Sequence, residues 1–139
     1  MAGYSQTPLP KKLGIKDDHV VLLLKAPDAF ERTLGELPSS VTMLDDIAAA
    51  AEYDIILFFT RSRAELRRRF PALMRQLKPA GGLWICWPKK ASGVATDLTE
   101  DVIRDMALKG GLVDVKVCAI DEVWSGLRLV LRLRDRPKT

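Results

Sequence analysis

Histidine occurs once in these 139 residues, cysteine twice, and aromatic residues make up only 6% of the chain. Cys86 and Cys118 have a spacing that matches no zinc pattern, and one histidine cannot complete a site with them, so no metal site is expected. Both cysteines lie inside apolar runs and are expected to be buried free thiols that behave as small hydrophobes. The longest apolar runs, residues 20–24 and 55–59, are far too short to span a bilayer. Residues 1–16 are polar and contain lysine, with no apolar core of a signal peptide. The cytoplasm is therefore the expected location, and a membrane is not an expected partner. There is no P-loop, nucleophile elbow or metal triad. His19 opens an apolar run after Asp17 and Asp18, at the amino end of its strand. It cannot act as base for a serine at the opposite end, so no catalytic residue is assigned.

What is present reads as an ordinary globular domain, with 47% hydrophobic and 29% charged residues. A chain of this length buries roughly two thirds of its unfolded surface and needs no staples. One domain is expected over residues 1–139, with no linker, repeat or low-complexity segment. The net charge of +4 and pI near 9.2 permit an anionic ligand without demanding nucleic acid.

Strand and helix patterns alternate along the chain. Residues 19–24, 53–59 and 83–87 are dominated by apolar runs, as expected of strands covered on both faces. A short strand is expected at 41–44, and the last two strands at 113–120 and 127–133. A short helix or turn is expected at 7–14, and helices at 28–34 (ended by Gly35), 45–52, after Ser62, and after residues 97–100. Ser62 with Glu65, and Asp97 to Glu100, read as capping boxes. Pro71 is expected to kink or split the helix that follows Ser62, and residues 79–82, Pro-Ala-Gly-Gly, to form a turn. Alternating strands and helices imply right-handed crossovers and a mostly parallel sheet. The last connection is too short for a crossover, so the final strand must run antiparallel.

This layout resembles the SAM-dependent methyltransferase fold, a three-layer Rossmann-like α/β architecture that ends in such a hairpin. Residues 54–59, Asp-Ile-Ile-Leu-Phe-Phe, resemble that fold's fourth strand. Residues 77–85, Leu-Lys-Pro-Ala-Gly-Gly-Leu-Trp-Ile, resemble its next helix-to-strand phrase. One strand–helix unit is missing by that analogy, which implies a truncated, six-stranded sheet of order 2-1-3-4-6-5 with the last strand antiparallel. The chain also resembles, along nearly its whole length, a family of small uncharacterised bacterial proteins. The resemblance is carried by Gly3-Tyr4-Ser5, residues 7–9 and 11–15, Trp87 to Gly93, Asp97-Leu98-Thr99, and residues 118–122 and 124–128. It implies no activity.

The methyltransferase resemblance implies a glycine-rich turn after the first strand, where the backbone approaches the cofactor. Here the strand runs into Leu24-Lys25-Ala26-Pro27-Asp28-Ala29-Phe30, with no glycine and with a donor removed at Pro27. Tight SAM binding is therefore not expected, and no cofactor is assigned. Asp45, after the second strand, could mimic an acidic ribose ligand, but a helix N-cap is its expected role.

Ligands of open α/β sheets bind outside the carboxyl ends of the strands. Those ends carry Lys25; Thr60, Arg61 and Ser62; Lys89, Lys90, Ser92 and Gly93; and Asp121, Glu122, Trp124 and Ser125. The expected binding set is Lys25, Thr60, Arg61, Lys89, Lys90, Ser92, Gly93, Asp121, Trp124 and Ser125. Lysines and hydroxyls there suit an anionic small molecule such as a phosphate. In the structural reading, Lys89 and Lys90 pair with Asp121 and Glu122 and merely hold the loops. Arg61, Arg63, Arg67, Arg68, Arg69, Arg75 and Lys78 lie on or beside one helix. They read as its solvated face, since no aromatic interleaves for nucleic acid. The expected function is a non-catalytic binding or regulatory module for an anionic ligand or partner at that rim. One alternative is a small enzyme acting on a phosphorylated or nucleotide-like substrate. The other is a weak nucleic-acid-binding protein. The oligomeric state stays open.

Overall fold

The computed structural model describes residues 7–136, so Gly3-Tyr4-Ser5 lies outside the described residues. The order along the chain is α1 (Leu9–Leu13), β1 (Val20–Leu24), α2 (Phe30–Leu34), β2 (Thr42–Leu44), β3 (Tyr53–Phe59), α3 (Arg63–Arg75), β4 (Leu77–Pro88), α4 (Glu100–Gly110), β5 (Leu112–Ala119) and β6 (Trp124–Leu131). They form one six-stranded sheet of order β2-β1-β3-β4-β6-β5. Strands β1 to β4 are mutually parallel, and β6 runs antiparallel between β4 and β5. This is the order the resemblance implied, and the short β5–β6 joint, which permits only a hairpin, accounts for its antiparallel last strand.

The continuous apolar strands are buried on both faces, which makes three layers. On one face Leu22, Ile56, Phe58, Leu83 and Ile85 pack under Leu66, Phe70 and Leu73 of α3 and Ile103 and Ala107 of α4. On the other, Val21, Ile55, Leu57, Phe59 and Trp84 pack under Leu13 of α1 and Phe30 and Leu34 of α2. Each fully buried side chain of this size contributes about 1.5–3 kcal/mol. Cys86 and Cys118 are buried and free, as expected. Both pair in register with Gly126 of the intervening β6, which keeps them apart.

Several local expectations are corrected. Helix α3 runs unbroken through Pro71. Pro71 and Arg67 are both exposed, so the carbonyl that loses its donor stays open to water. Residues 79–82 are not a separate turn but an irregular stretch of β4. The register passes from Tyr53↔Leu77 to Ile55↔Gly82, five residues on β4 against two on β3. Gly81 is required there, because a Cβ would lie 2.6 Å from the carbonyl oxygen of Asp54. Residues 45–52 form only a 3-10 turn, Ile47–Ala49. Side chains take the carbonyls a helix would use: Gln76 Nε2 donates to Ile47 and Ala50 (2.8 and 2.9 Å), and the Tyr53 hydroxyl to Asp46 (2.9 Å). Strand β6 begins at Trp124, three residues early, because Asp121 Oδ1 accepts from the Val123 and Trp124 amides (2.8 Å each) and tightens the turn.

No described helix is long and apolar enough to cross a membrane.

Candidate functional site

The carboxyl ends of β1 to β4 and of β5 share one rim, as the topology requires. The residues expected to bind there form two separate clusters, each occupied largely with its own loop. In the first, the Lys25 ammonium is bonded to Glu65 of α3, and the Thr60 hydroxyl donates to Glu65 Oε1 at 2.6 Å. Burial pushes the Glu65 carboxyl up, but the hydrogen bonds from Lys25 and Thr60 outweigh it and hold it below its ordinary value. Ser62 Oγ caps α3 by accepting from the Glu65 amide (3.1 Å). Glu65 does not complete the expected box, because Lys25 and Thr60 have taken its carboxylate. A further α3 donor, the Arg63 amide, goes to Asp97 Oδ1 (2.7 Å), while Thr99 caps α4. Asp97 therefore caps the neighbouring helix rather than its own. Arg61 is exposed, and its carbonyl accepts from Thr96.

In the second cluster, the Lys89 amide donates to the Val123 carbonyl (2.7 Å) and the Ser92 hydroxyl to the Lys89 carbonyl (2.7 Å). Gly93 closes the turn with φ of 76°. Trp124 lies edge-on to Phe59 with centroids 5.2 Å apart, and Ser125 sits inside β6 opposite Trp87. Among the described residues the expected pairing of Lys89 and Lys90 with Asp121 and Glu122 is absent. Asp121 is instead spent on the turn.

The main cleft of the rim lies elsewhere, between the ends of β1 and β2. Its volume is about 640 Å³, and Leu23, Met43 and Leu44 give it an apolar wall. Its charged lining is Lys25, Asp28, Glu31 and Asp45, so it is acidic, and its one ammonium is already held by Glu65. Lys25 is the single member of the expected set that reaches it. Asp28, Glu31 and Met43 were not legible as site residues, because nothing local marks them.

Two features of this cleft reverse expectations. Asp46, not Asp45, caps the 3-10 turn, with Oδ1 accepting from the Ala48 amide at 2.9 Å. Asp45 is exposed at the end of β2 and has no side-chain partner among the described residues. The loop after β1 also makes its bends without glycine: Lys25 (φ 57°) and Ala29 (φ 61°) both take the left-handed conformation. Such residues cost of order 1–2 kcal/mol each, so the surrounding structure must enforce them. The loop therefore reaches left-handed backbone at two positions without glycine.

A second cleft, of about 570 Å³, adjoins α3 and is lined by Arg61, Ser62, Ala64, Glu65, Arg68 and Ala95. The Lys25–Glu65 pair forms the partition, since Lys25 lines the first cleft and Glu65 the second.

No family model matches the chain, and no curated protein matches it in sequence. Solved structures do match. A candidate type 11 methyltransferase from Sulfolobus solfataricus superposes with a TM-score of 0.64 at 16% identity, covering 94% of this chain and 93% of its own. A SAM-dependent methyltransferase from Aquifex aeolicus gives 0.59 at 15% identity, covering 86% and 85%. Magnesium protoporphyrin IX methyltransferase from Synechocystis PCC 6803, solved with bound SAM, gives 0.55 at 12% identity, covering 89% and 74%. These likenesses, with the acidic cleft, overturn the expectation of a non-catalytic module for an anion at this rim. The phosphorylated-substrate and nucleic-acid alternatives find no support either. The chain has the SAM-dependent methyltransferase-like fold.

Proposed function

We propose that this protein is a methyltransferase-type enzyme that takes S-adenosylmethionine in the cleft between β1 and β2. The observation that carries the reading is Asp45, an unpartnered carboxylate at the end of β2 in an acidic cleft. A carboxylate there accepts hydrogen bonds from ribose hydroxyls, while Leu23, Met43 and Leu44 offer an apolar wall to an adenine ring. Asp28, Glu31 and Asp45 favour a ligand that carries positive charge, as a sulfonium does, and disfavour a phosphate. Lys25 and Ala29 bend the loop around the cleft, and Glu65 holds the Lys25 ammonium at its edge. SAM, when bound, supplies an electrophilic methyl group whose loss leaves a neutral thioether. The neighbouring cleft beside α3 is the proposed place of the methyl acceptor.

Calorimetric titration with SAM and with its demethylated product tests this. The expected result is one site per chain that Asp45→Asn weakens by about tenfold or more. Failure of SAM to bind at about 1 mM, or binding indifferent to Asp45→Asn, overturns the reading.

A further inference from the structure

A second, differently charged cavity opens at the opposite edge of the sheet, at the amino ends of β1, β3 and β4. Its volume is about 420 Å³, and its polar lining includes Lys16, His19, Asp54, Lys78 and Arg128. Asp54 is the only carboxylate among these residues, and it is committed. It accepts from the Val20 amide (2.8 Å) and from the Lys78 ammonium (3.2 Å). Lys16 and Arg128 have no ion-pair partner among the described residues.

Arg128 is half-buried, and its head is deliberately housed. A Cβ on Gly14 would lie 2.6 Å from Nη1, and one on Gly82 would lie 2.5 Å from Cζ. Two glycines from different elements therefore leave room for the guanidinium. One of its nitrogens, Nη1, donates to the Leu13 carbonyl (2.9 Å). The other donors of the fork have no partner among the described residues. Burial, and then the charge of Arg136, pull the Arg128 pKa down. His19 adds a directed donor. Its Nδ1 accepts from the Lys16 amide (3.1 Å), which leaves the proton on Nε2.

We infer that this amino-end cavity binds a phosphate group, free or as a small monoester, between Arg128, Lys16 and His19. A guanidinium fork with a flanking ammonium and an imidazole N–H matches the several acceptor oxygens and the dianionic charge of phosphate. The site is independent of the proposed SAM cleft, which lies at the other end of the strands.

Nuclear magnetic resonance of the folded full chain tests the inference at constant ionic strength. Inorganic phosphate and glycerol 3-phosphate are titrated in parallel arms, with acetate as the carboxylate control. The expected result is a saturable shift of the Arg128 Nε–H resonance with phosphate. A stronger response to glycerol 3-phosphate would identify a monoester as the ligand, and an equal one the free ion. Lys16→Glu and Arg128→Gln should each weaken the response about tenfold or more while the rest of the amide spectrum is retained. If Arg128→Gln fails to fold, Lys16→Glu alone decides. A shift that does not saturate, that acetate reproduces equally, or that survives Lys16→Glu overturns the inference. SAM should perturb Met43 and the residue 25–29 loop instead, so failure of one site is distinguishable from failure of the other.

Discussion

Trp84 and Arg128 face each other across β4 and β6 and donate to the same acceptor, the carbonyl oxygen of Leu13, at 2.9 Å each. The last residue of α1 is thereby fastened to the middle of the sheet by two donors from neighbouring strands. Leu13 and Trp84 are both fully buried, so that carbonyl has no water to fall back on. Trp84→Phe removes one donor while keeping an aromatic ring. It should cost about 1–3 kcal/mol, combining the lost hydrogen bond with lost volume. The loss in Trp84→Phe should be larger when Arg128 is already Met, because the shared, buried acceptor is then left with no donor. Urea denaturation of the four proteins of that cycle checks it.

The left-handed residues of the loop after β1 make a second prediction. Ala29 has φ of 61° and no bulky side chain in the core, so Ala29→Gly relieves strain with little lost packing. The gain is offset in part by the freer unfolded chain. Ala29→Gly should raise stability by about 0.5–1 kcal/mol, read as a higher melting temperature. A fall in stability would show that the bend is not strained.

The Glu65 cluster predicts a pH dependence. The folded-state carboxyl titrates below its ordinary value of 4.5. The unfolded state therefore binds its proton at higher pH than the folded state does. The contribution to stability is full above that ordinary value and is lost as the pH falls through the lower folded value. Glu65→Gln should remove this part of the acid sensitivity, a component of about 1 kcal/mol or less, because Lys25 is half-exposed. Denaturation midpoints of the parent and Glu65→Gln at pH 7 and pH 3 provide the measurement. Equal loss in both proteins would assign the acid sensitivity elsewhere.

The strands and the final hairpin were readable from residues alone because they rest on short-range facts, whereas the order across the sheet was implied by the resemblance to the methyltransferase fold. The apolar runs at 20–24, 53–59 and 83–87 are long enough to be strands and too uniform for one-sided burial. Ser62 caps its helix through the Glu65 amide three residues away, so local spacing sufficed there; at α4 it did not, since Thr99 caps in place of the expected Asp97. Residues 121–126 are too few for a crossover, which alone forced the final hairpin.

The site was decided by partners distant in the chain. Asp97 spends its carboxylate on α3, 34 residues back, and Glu65 bonds Lys25, 40 residues away. Neither pairing is marked by spacing, so the rim looked basic although its main cleft is acidic. Asp45 and Asp46 are chemically alike, and which one caps depends on where Tyr53 and Gln76 pin the turn. The bends at Lys25 and Ala29 run against the intrinsic preference of those residues. They persist because Phe30 is buried beneath the sheet and Lys25 is bonded to α3, and packing of this kind outweighs a penalty of order 1–2 kcal/mol.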